Sequence, residues 1–123
     1  SWELTVMTLL DQHPNVINWA SESITIPYTN PLTGKLQTYI PDFFVVYKDK
    51  NGQQRAELVE VKPKKEALQE NAKSKRDKAL LMVNTAKWAA AMTWCKKNGV
   101  TFRLLTEDSI YINKGNQLKK KNV

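Results

Sequence analysis

The chain has 123 residues, 41% of them hydrophobic and 9% aromatic, and a formal net charge of +7. This composition excludes a disordered or collagen-like chain, and the length suits one compact domain. A single cysteine and a single histidine exclude an intrachain disulfide and a metal site of clustered Cys or His, so a bound metal would need oxygen ligands. Apolar stretches fall far short of the roughly 20 residues of a membrane span, so we expect a cytoplasmic protein without membrane contact.

The positive charge is concentrated in two segments. Residues 62–78 contain seven basic and three acidic residues, and residues 114–123 contain four lysines and no acid. Clustered positive charge beside a near-neutral body is typical of proteins that bind phosphate backbones, although a basic tail can also serve solubility alone. We expect one domain over residues 1–113 and a basic, flexible tail over residues 114–123, where apolar residues are few.

The first half of the chain predicts a helix followed by three strands. Residues 1–12 carry apolar side chains at helical spacing, and His13 with Pro14 ends the helix. Alternating or β-branched segments predict strands over residues 22–28, 38–47 and 55–62. Turn-forming residues lie over 29–34 and at Asn51-Gly52, so we expect the three strands to be neighbours.

The second half predicts a helix and a returning strand. The helical pattern covers residues 64–98 with a break near residues 71–74, and Gly99 is the expected C-cap. A strand follows over residues 100–105, and residues 109–112 can add a short edge strand. A helix between two strands usually crosses back to the same sheet, so we expect an α/β fold with a mixed central sheet flanked by helices, in αβββαβ order.

Two carboxylates and a lysine are expected at the ends of adjacent strands. Asp42 directly follows Pro41, and period two places Glu60 and Lys62 on one face of the third strand. Half-buried charges are costly without partners, and a divalent cation is a partner for two acids at once. Mg²⁺ prefers such oxygen ligands. The alternative is a turn role for Asp42 and a surface ion pair of Glu60 with Lys62.

These residues resemble the PD-(D/E)XK nuclease superfamily through Pro41-Asp42 and Glu60-Val61-Lys62, and the resemblance covers residues 1–112. The segments YIPDFFVVY and LVEVKP are similar to the TnsA nucleases that cut transposon ends. The segment SWELTVMTLLDQHPNVINWASE is similar to the head-completion nucleases of T4-like bacteriophages. The resemblance implies a restriction-endonuclease-like core and a DNA endonuclease that uses Mg²⁺, with Mn²⁺ as a substitute, in phage head completion or DNA packaging.

The resemblance also assigns roles to individual residues. It makes Asp42 and Glu60 metal ligands, the Val61 carbonyl a further ligand and Lys62 the catalytic lysine. Glu3 matches an acid on the first helix in some branches of the superfamily, although the helix dipole alone favours an acid in the first turn.

Basic residues after the third strand are candidates for contacts with the DNA backbone, which position the nucleic acid without reading its sequence. They are Lys64, Lys65, Lys73, Lys75, Arg76, Lys78 and Lys87. For any one of them, a solvated helix face with ion pairs at helical spacing is the alternative. Lys87 lies among apolar neighbours and can extend its ammonium group to water.

Two other functions fit the same residues. One is a non-catalytic DNA-binding or virion-assembly module on the same fold. The other is a resolvase of branched DNA such as Holliday junctions, which needs a dimer. Partners beyond DNA are therefore a second copy of the chain or phage head and packaging proteins, in the host cytoplasm or in the virion.

Overall fold

A computed structural model describes residues 2–63 and 73–106, which form two helices and six strands. In chain order these are α1 (Trp2–Gln12), β1 (Val16–Ser21), β2 (Ile26–Thr29), β3 (Leu36–Tyr39), β4 (Phe43–Lys48), β5 (Gln54–Val61), α2 (Lys75–Asn98) and β6 (Thr101–Leu105).

Four strands form a mixed sheet in the order β1-β4-β5-β6. β4 is antiparallel to both β1 and β5, whereas β6 runs parallel to β5 after the α2 crossover. β2 and β3 form a separate two-stranded antiparallel sheet, which is a hairpin inserted between β1 and β4. Without this hairpin the element order is αβββαβ, so the predicted fold class is confirmed.

The predicted positions of the strands were wrong in three respects. β1 was not predicted, because VINWAS has only two half-buried residues and lacks the period-two pattern. The first predicted strand begins at Ile26 rather than at residue 22, and its partner is β3, so β1 and not this strand lies beside β4. The second predicted strand, 38–47, is two strands, because Pro41 lacks the N–H that a continuous ladder needs.

The ends of α2 follow the sequence signals. Ser74 is the N-cap, and its side-chain oxygen accepts a hydrogen bond from the Asp77 backbone N–H at 3.0 Å. Gly99 adopts a left-handed conformation with φ of 67°, which confirms it as the C-cap. The helix therefore begins at the end of the predicted break, and residues 64–72, 109–112 and 114–123 lie outside the described residues.

The core lies on both faces of the four-stranded sheet because side chains of β5 alternate between them. Val59 and Val61 pack with Val6 of α1 and with residues of β4. Leu58 packs with α2 and the β2–β3 hairpin on the opposite face. In the described part of the chain, no helix combines the length and apolar character that a membrane span requires.

Candidate active site

Asp42 lies beside the end of β5. Phe43 pairs with Val59 in the antiparallel ladder, so the residues before Phe43 reach the last residues of β5. The backbone N–H of Val61 donates a hydrogen bond to Oδ2 of Asp42 at 2.7 Å. The Asp42 carbonyl in turn accepts from the Glu22 N–H at 3.0 Å. Both the side chain and the main chain of Asp42 are therefore held by neighbouring segments.

Glu60 is the most buried carboxylate of the site, with 5% of its surface exposed. Its neighbours Val59 and Val61 point into the core on the α1 side, so Glu60 faces α2 and the hairpin. Its Oε1 accepts a hydrogen bond from the Tyr39 hydroxyl at 2.6 Å. Its Oε2 lies 3.6 Å from the Lys62 ammonium nitrogen. Both carboxylate oxygens of Glu60 thus have a partner within the site.

Lys62 directly follows β5, and its ammonium group brings positive charge to the site. Its backbone N–H donates to the Leu105 carbonyl at 2.9 Å, which continues the parallel β5–β6 pairing. Its side chain is 25% exposed. The ammonium group is therefore paired with Glu60 and still accessible from solvent.

The electrostatics around Asp42 disfavour its ionised form. Burial raises the pKa of Asp42, and the charges of Glu3 and Glu22 add to the increase. The hydrogen bond from Val61 and the charge of Lys62 act in the opposite direction. The charge of the exposed Glu3 side chain on α1 thus helps to raise the pKa of Asp42, the residue with which Glu3 was predicted to share the site.

Burial also raises the pKa of Glu60. The Tyr39 hydrogen bond opposes this increase, the Asp42 charge adds to it, and the charges of Lys62 and Lys87 oppose it. Glu60 and Asp42 therefore carry mutually repelling charges in a partly buried site, and a cation shared between them would relieve the repulsion.

The predicted DNA-contacting residues fall into separate groups. Lys73, Lys75, Arg76 and Lys78 are exposed at the start of α2. Lys64 and Lys65 lie outside the described residues. Lys87 lies further along α2, and its ammonium nitrogen is 5.8 Å from the ring centroids of both Tyr28 and Tyr39. Lys87 thus lies beside the carboxylate site and apart from the basic start of α2.

Sequence reasoning missed Tyr39 and Glu22. Tyr39 falls inside one predicted strand, and the break at Pro41 was the signal that could have separated it from β4. Glu22 adopts a left-handed backbone with φ of 51°, which is unusual for a residue with a side chain. No feature of the sequence predicts a left-handed backbone at Glu22.

The donor chemistry of the site fits a hard divalent cation. Asp42 and Glu60 supply carboxylate oxygens, and the N–H and C=O of a strand residue face the same edge, so the Val61 carbonyl lies on the Asp42 side. Mg²⁺ is often held by one or two carboxylates, with water and substrate oxygens completing six ligands. Within residues 2–63 and 73–106, no group of three or more His, Cys, Asp or Glu is placed to hold a metal ion.

The mixed four-stranded sheet with its two helices is compatible with the restriction-endonuclease-like α/β fold. The profile described as TnsA-like endonuclease N terminal matches residues 13–107. The head completion nuclease of Enterobacteria phage T4 is 37% identical over 120 residues, an alignment that covers 89% of this chain and 77% of that protein. No solved structure matches the chain. The chain belongs to the TnsA-like endonuclease family, which confirms the nuclease resemblance seen in the sequence.

Proposed function

We propose that this chain is a metal-dependent DNA endonuclease of the PD-(D/E)XK type, with Asp42, Glu60 and Lys62 in its active site. The observation that carries the proposal is the hydrogen bond of Asp42 with the Val61 N–H, directly beside Glu60, with Lys62 3.6 Å from Glu60, in a member of an endonuclease family. A structural ion pair would explain Glu60 with Lys62 but not the partly buried Asp42, which forms no ion pair with the described residues.

Asp42, Glu60 and the Val61 carbonyl are the proposed ligands of Mg²⁺, for which Mn²⁺ substitutes because it accepts the same oxygen donors. When bound, a divalent ion supplies Lewis acidity toward the phosphate and a water of lowered pKa. The protein contributes fixed positions, since the Val61 N–H and the Tyr39 hydroxyl hold one oxygen of each carboxylate.

Lys62 is the proposed catalytic lysine. Its ammonium group can neutralise the negative charge that develops on the phosphate oxygens as the P–O bond breaks, and it can orient the attacking water. The pairing with Glu60 keeps the flexible side chain at the site before substrate binds. Glu3 is the proposed third acidic member, at the rim of the site, because its charge acts on Asp42 from the first turn of α1.

The start of α2 is the proposed contact surface for the DNA backbone, together with Lys64, Lys65 and Lys87. Lys75, Arg76 and Lys78 lie in the first turn or directly after it, where the helix dipole disfavours positive charge. Stability therefore does not account for these residues, whereas attraction to phosphate does. Contacts of this kind are independent of base sequence, so we expect cleavage with weak sequence preference.

The name of the phage T4 relative supports a phage setting for this activity. We propose that the chain acts on DNA during completion of phage heads, in the cytoplasm of the infected cell. One active site cuts one strand, so a double-strand break would require a second copy or a partner.

A cleavage assay tests the proposal. Supercoiled plasmid, linear duplex and a four-way junction are incubated with the protein in Mg²⁺, Mn²⁺ or EDTA. Asp42→Asn, Glu60→Gln and Lys62→Ala are compared with Lys50→Ala, a control in the turn at the opposite end of β4 and β5. We expect metal-dependent cleavage by wild type and Lys50→Ala alone.

Three other outcomes would overturn parts of the proposal. Equal DNA binding by wild type and Lys62→Ala without cleavage in either metal would indicate a non-catalytic module. Cleavage confined to the junction would indicate a resolvase. Cleavage that continues in EDTA would exclude the metal-dependent mechanism.

A further inference from the structure

The Tyr39 hydroxyl is a buried polar group directed at the carboxylate site. Tyr39 is the last residue of β3, and only 5% of its surface is exposed. Its hydroxyl donates to Oε1 of Glu60 at 2.6 Å, across 21 positions of the chain. This distance is in the range of charge-assisted O–H···O⁻ bonds, which are among the strong hydrogen bonds of proteins.

The bond joins two sheets that share no strand pairing in the described part of the chain. β3 pairs with β2, whereas Glu60 lies on β5 in the four-stranded sheet. The position of the Glu60 carboxylate therefore depends on the hairpin as well as on β5. A phenol has a single O–H, so Tyr39 orients one carboxylate oxygen and leaves Oε2 facing Lys62.

We infer that Tyr39 is a positioning residue that holds Glu60 in the orientation needed to bind the catalytic metal ion. This inference rests on the proposed nuclease function. Partners that orient a metal ligand from behind typically change metal affinity 10-fold to 100-fold when they are removed, although they never touch the metal. The β2–β3 hairpin is then part of the catalytic machinery and not only a cover for the α2 side of the sheet.

Tyr28 provides a matched control within the same hairpin. It is 7% exposed, and its ring centroid lies at the same distance of 5.8 Å from the Lys87 ammonium nitrogen as that of Tyr39. The Tyr28 hydroxyl, however, donates to Oε1 of Gln37 at 2.9 Å. The two tyrosines thus share burial, strand environment and cation–π partner, and they differ in whether the hydroxyl meets a site carboxylate.

The experiment compares wild type, Tyr39→Phe and Tyr28→Phe, which retain the ring and lose only the hydroxyl. Mn²⁺ affinity is measured by titration with electron paramagnetic resonance of the free ion, and kcat and KM are measured on a linear duplex. Metal-free thermal unfolding measures the stability cost of each change. We expect Tyr39→Phe to bind Mn²⁺ at least 10-fold more weakly and to lose kcat more than KM, with Tyr28→Phe within about twofold of wild type.

The outcomes separate the inference from the proposed function. If wild type cleaves DNA and Tyr39→Phe matches it in Mn²⁺ affinity and kcat, the inference is wrong and the proposed function stands. If both variants lose stability alike while Mn²⁺ affinity is unchanged, Tyr39 is a structural residue only. If wild type neither binds Mn²⁺ nor cleaves DNA, the proposed function fails and the inference fails with it.

Discussion

The backbone N–H of Val61 donates a 2.7 Å hydrogen bond to the carboxylate of Asp42. Val61 is the last residue of β5 and directly follows Glu60, so this bond fixes one acid of the site relative to the other. The pairing of Phe43 with Val59 sets the same geometry two residues earlier. A slip of one residue between β4 and β5 would turn Glu60 into the opposite core, which links the site to the register of the sheet.

The two carboxylates should destabilise the metal-free protein at neutral pH. Burial raises the pKa of Asp42 and Glu60 above their ordinary values of 3.8 and 4.5. The folded state then holds protons that the unfolded state releases. The free energy of unfolding therefore falls as pH rises from the ordinary pKa of each group to its raised pKa in the folded state. Asp42→Asn and Glu60→Gln remove this cost, and the amide oxygens can still accept from Val61 and Tyr39. We predict a higher Tm for both variants in EDTA at pH 7.5.

Added metal should reverse that order. A ligand that binds only the folded state stabilises it, by about 2.7 kcal/mol at 100 times its Kd. We predict that Mg²⁺ raises the Tm of wild type by several degrees and leaves Asp42→Asn and Glu60→Gln unchanged. Differential scanning fluorimetry at a series of Mg²⁺ concentrations measures both effects. A wild-type Tm that is insensitive to Mg²⁺ and Mn²⁺, with both variants less stable in EDTA, would contradict the assignment of the ligands.

Lys62 should affect turnover and not metal binding. Replacing it with alanine removes charge neutralisation at the phosphate, which we expect to lower kcat by about 10²- to 10³-fold. The stabilisation by Mg²⁺ should persist, because Asp42 and Glu60 remain. Single-turnover cleavage at saturating metal measures the first effect and fluorimetry the second. Loss of both together would instead make Lys62 a residue that supports the metal site.

The two ends of α2 offer an internal comparison for DNA binding. The triple variant Lys75→Gln, Arg76→Gln and Lys78→Gln should weaken DNA binding. It should also reduce the slope of log K against log salt by about 0.9 for each DNA phosphate that the variant no longer neutralises. Lys96→Gln with Lys97→Gln changes the last turn of the same helix, about 30 Å away, and should leave DNA affinity near wild type.

Stability should change with opposite signs at the two ends of this helix. Removing positive charge from the first turn relieves an unfavourable dipole interaction, and removing it from the last turn loses a favourable one, by about 0.3–1 kcal/mol per residue. Urea unfolding of the two variants measures this difference. Equal loss of DNA affinity in both variants would indicate a diffuse charge effect and would exclude a contact surface at the start of α2.

Asn84 should be replaceable with a gain in stability. It is 1% exposed on α2, and its side-chain nitrogen has no hydrogen-bond partner among the described residues. Leucine has the same number and branching of side-chain heavy atoms and no polar group to desolvate, so Asn84→Leu should raise the free energy of unfolding by about 1 kcal/mol. Trp88→Phe also removes a buried N–H without a described partner but leaves a cavity, and should lower stability. Destabilisation by Asn84→Leu would contradict this prediction and would indicate either overpacking by the larger side chain or an amide that binds an internal water.

Much of the site was predictable from local sequence because its residues lie close to a proline or on a strand that follows a clear turn signal. Pro41 marks the start of β4, and alternation along β5 places Glu60 away from Val59 and Val61. The Asn51-Gly52 turn pairs β4 with β5 and so brings Asp42 near Glu60. In this turn Asp49 accepts hydrogen bonds from the N–H groups of Asn51 and Gln53. Such short-range signals specify the β4–β5 hairpin and its register, and therefore the relative positions of Asp42 and Glu60.

The remainder depends on packing between distant segments. β1 lies at the edge of the sheet, where exposure on both faces removes the alternation that would identify it. The bond from Tyr39 to Glu60 requires the hairpin to pack over β5, which no periodicity of either strand specifies. The predictions for Lys64 and Lys65 lie outside the described residues and stay predictions.

The most direct test of the account is the position of the metal ion. Crystals of the protein grown in MnCl₂ give an anomalous difference map in which manganese is identified without ambiguity. We expect a peak between the carboxylates of Asp42 and Glu60, within coordination distance of the Val61 carbonyl, and its loss in Asp42→Asn. The same Mn²⁺ concentration is first shown to support DNA cleavage in solution. A map without a peak at these residues would then contradict the proposed metal site.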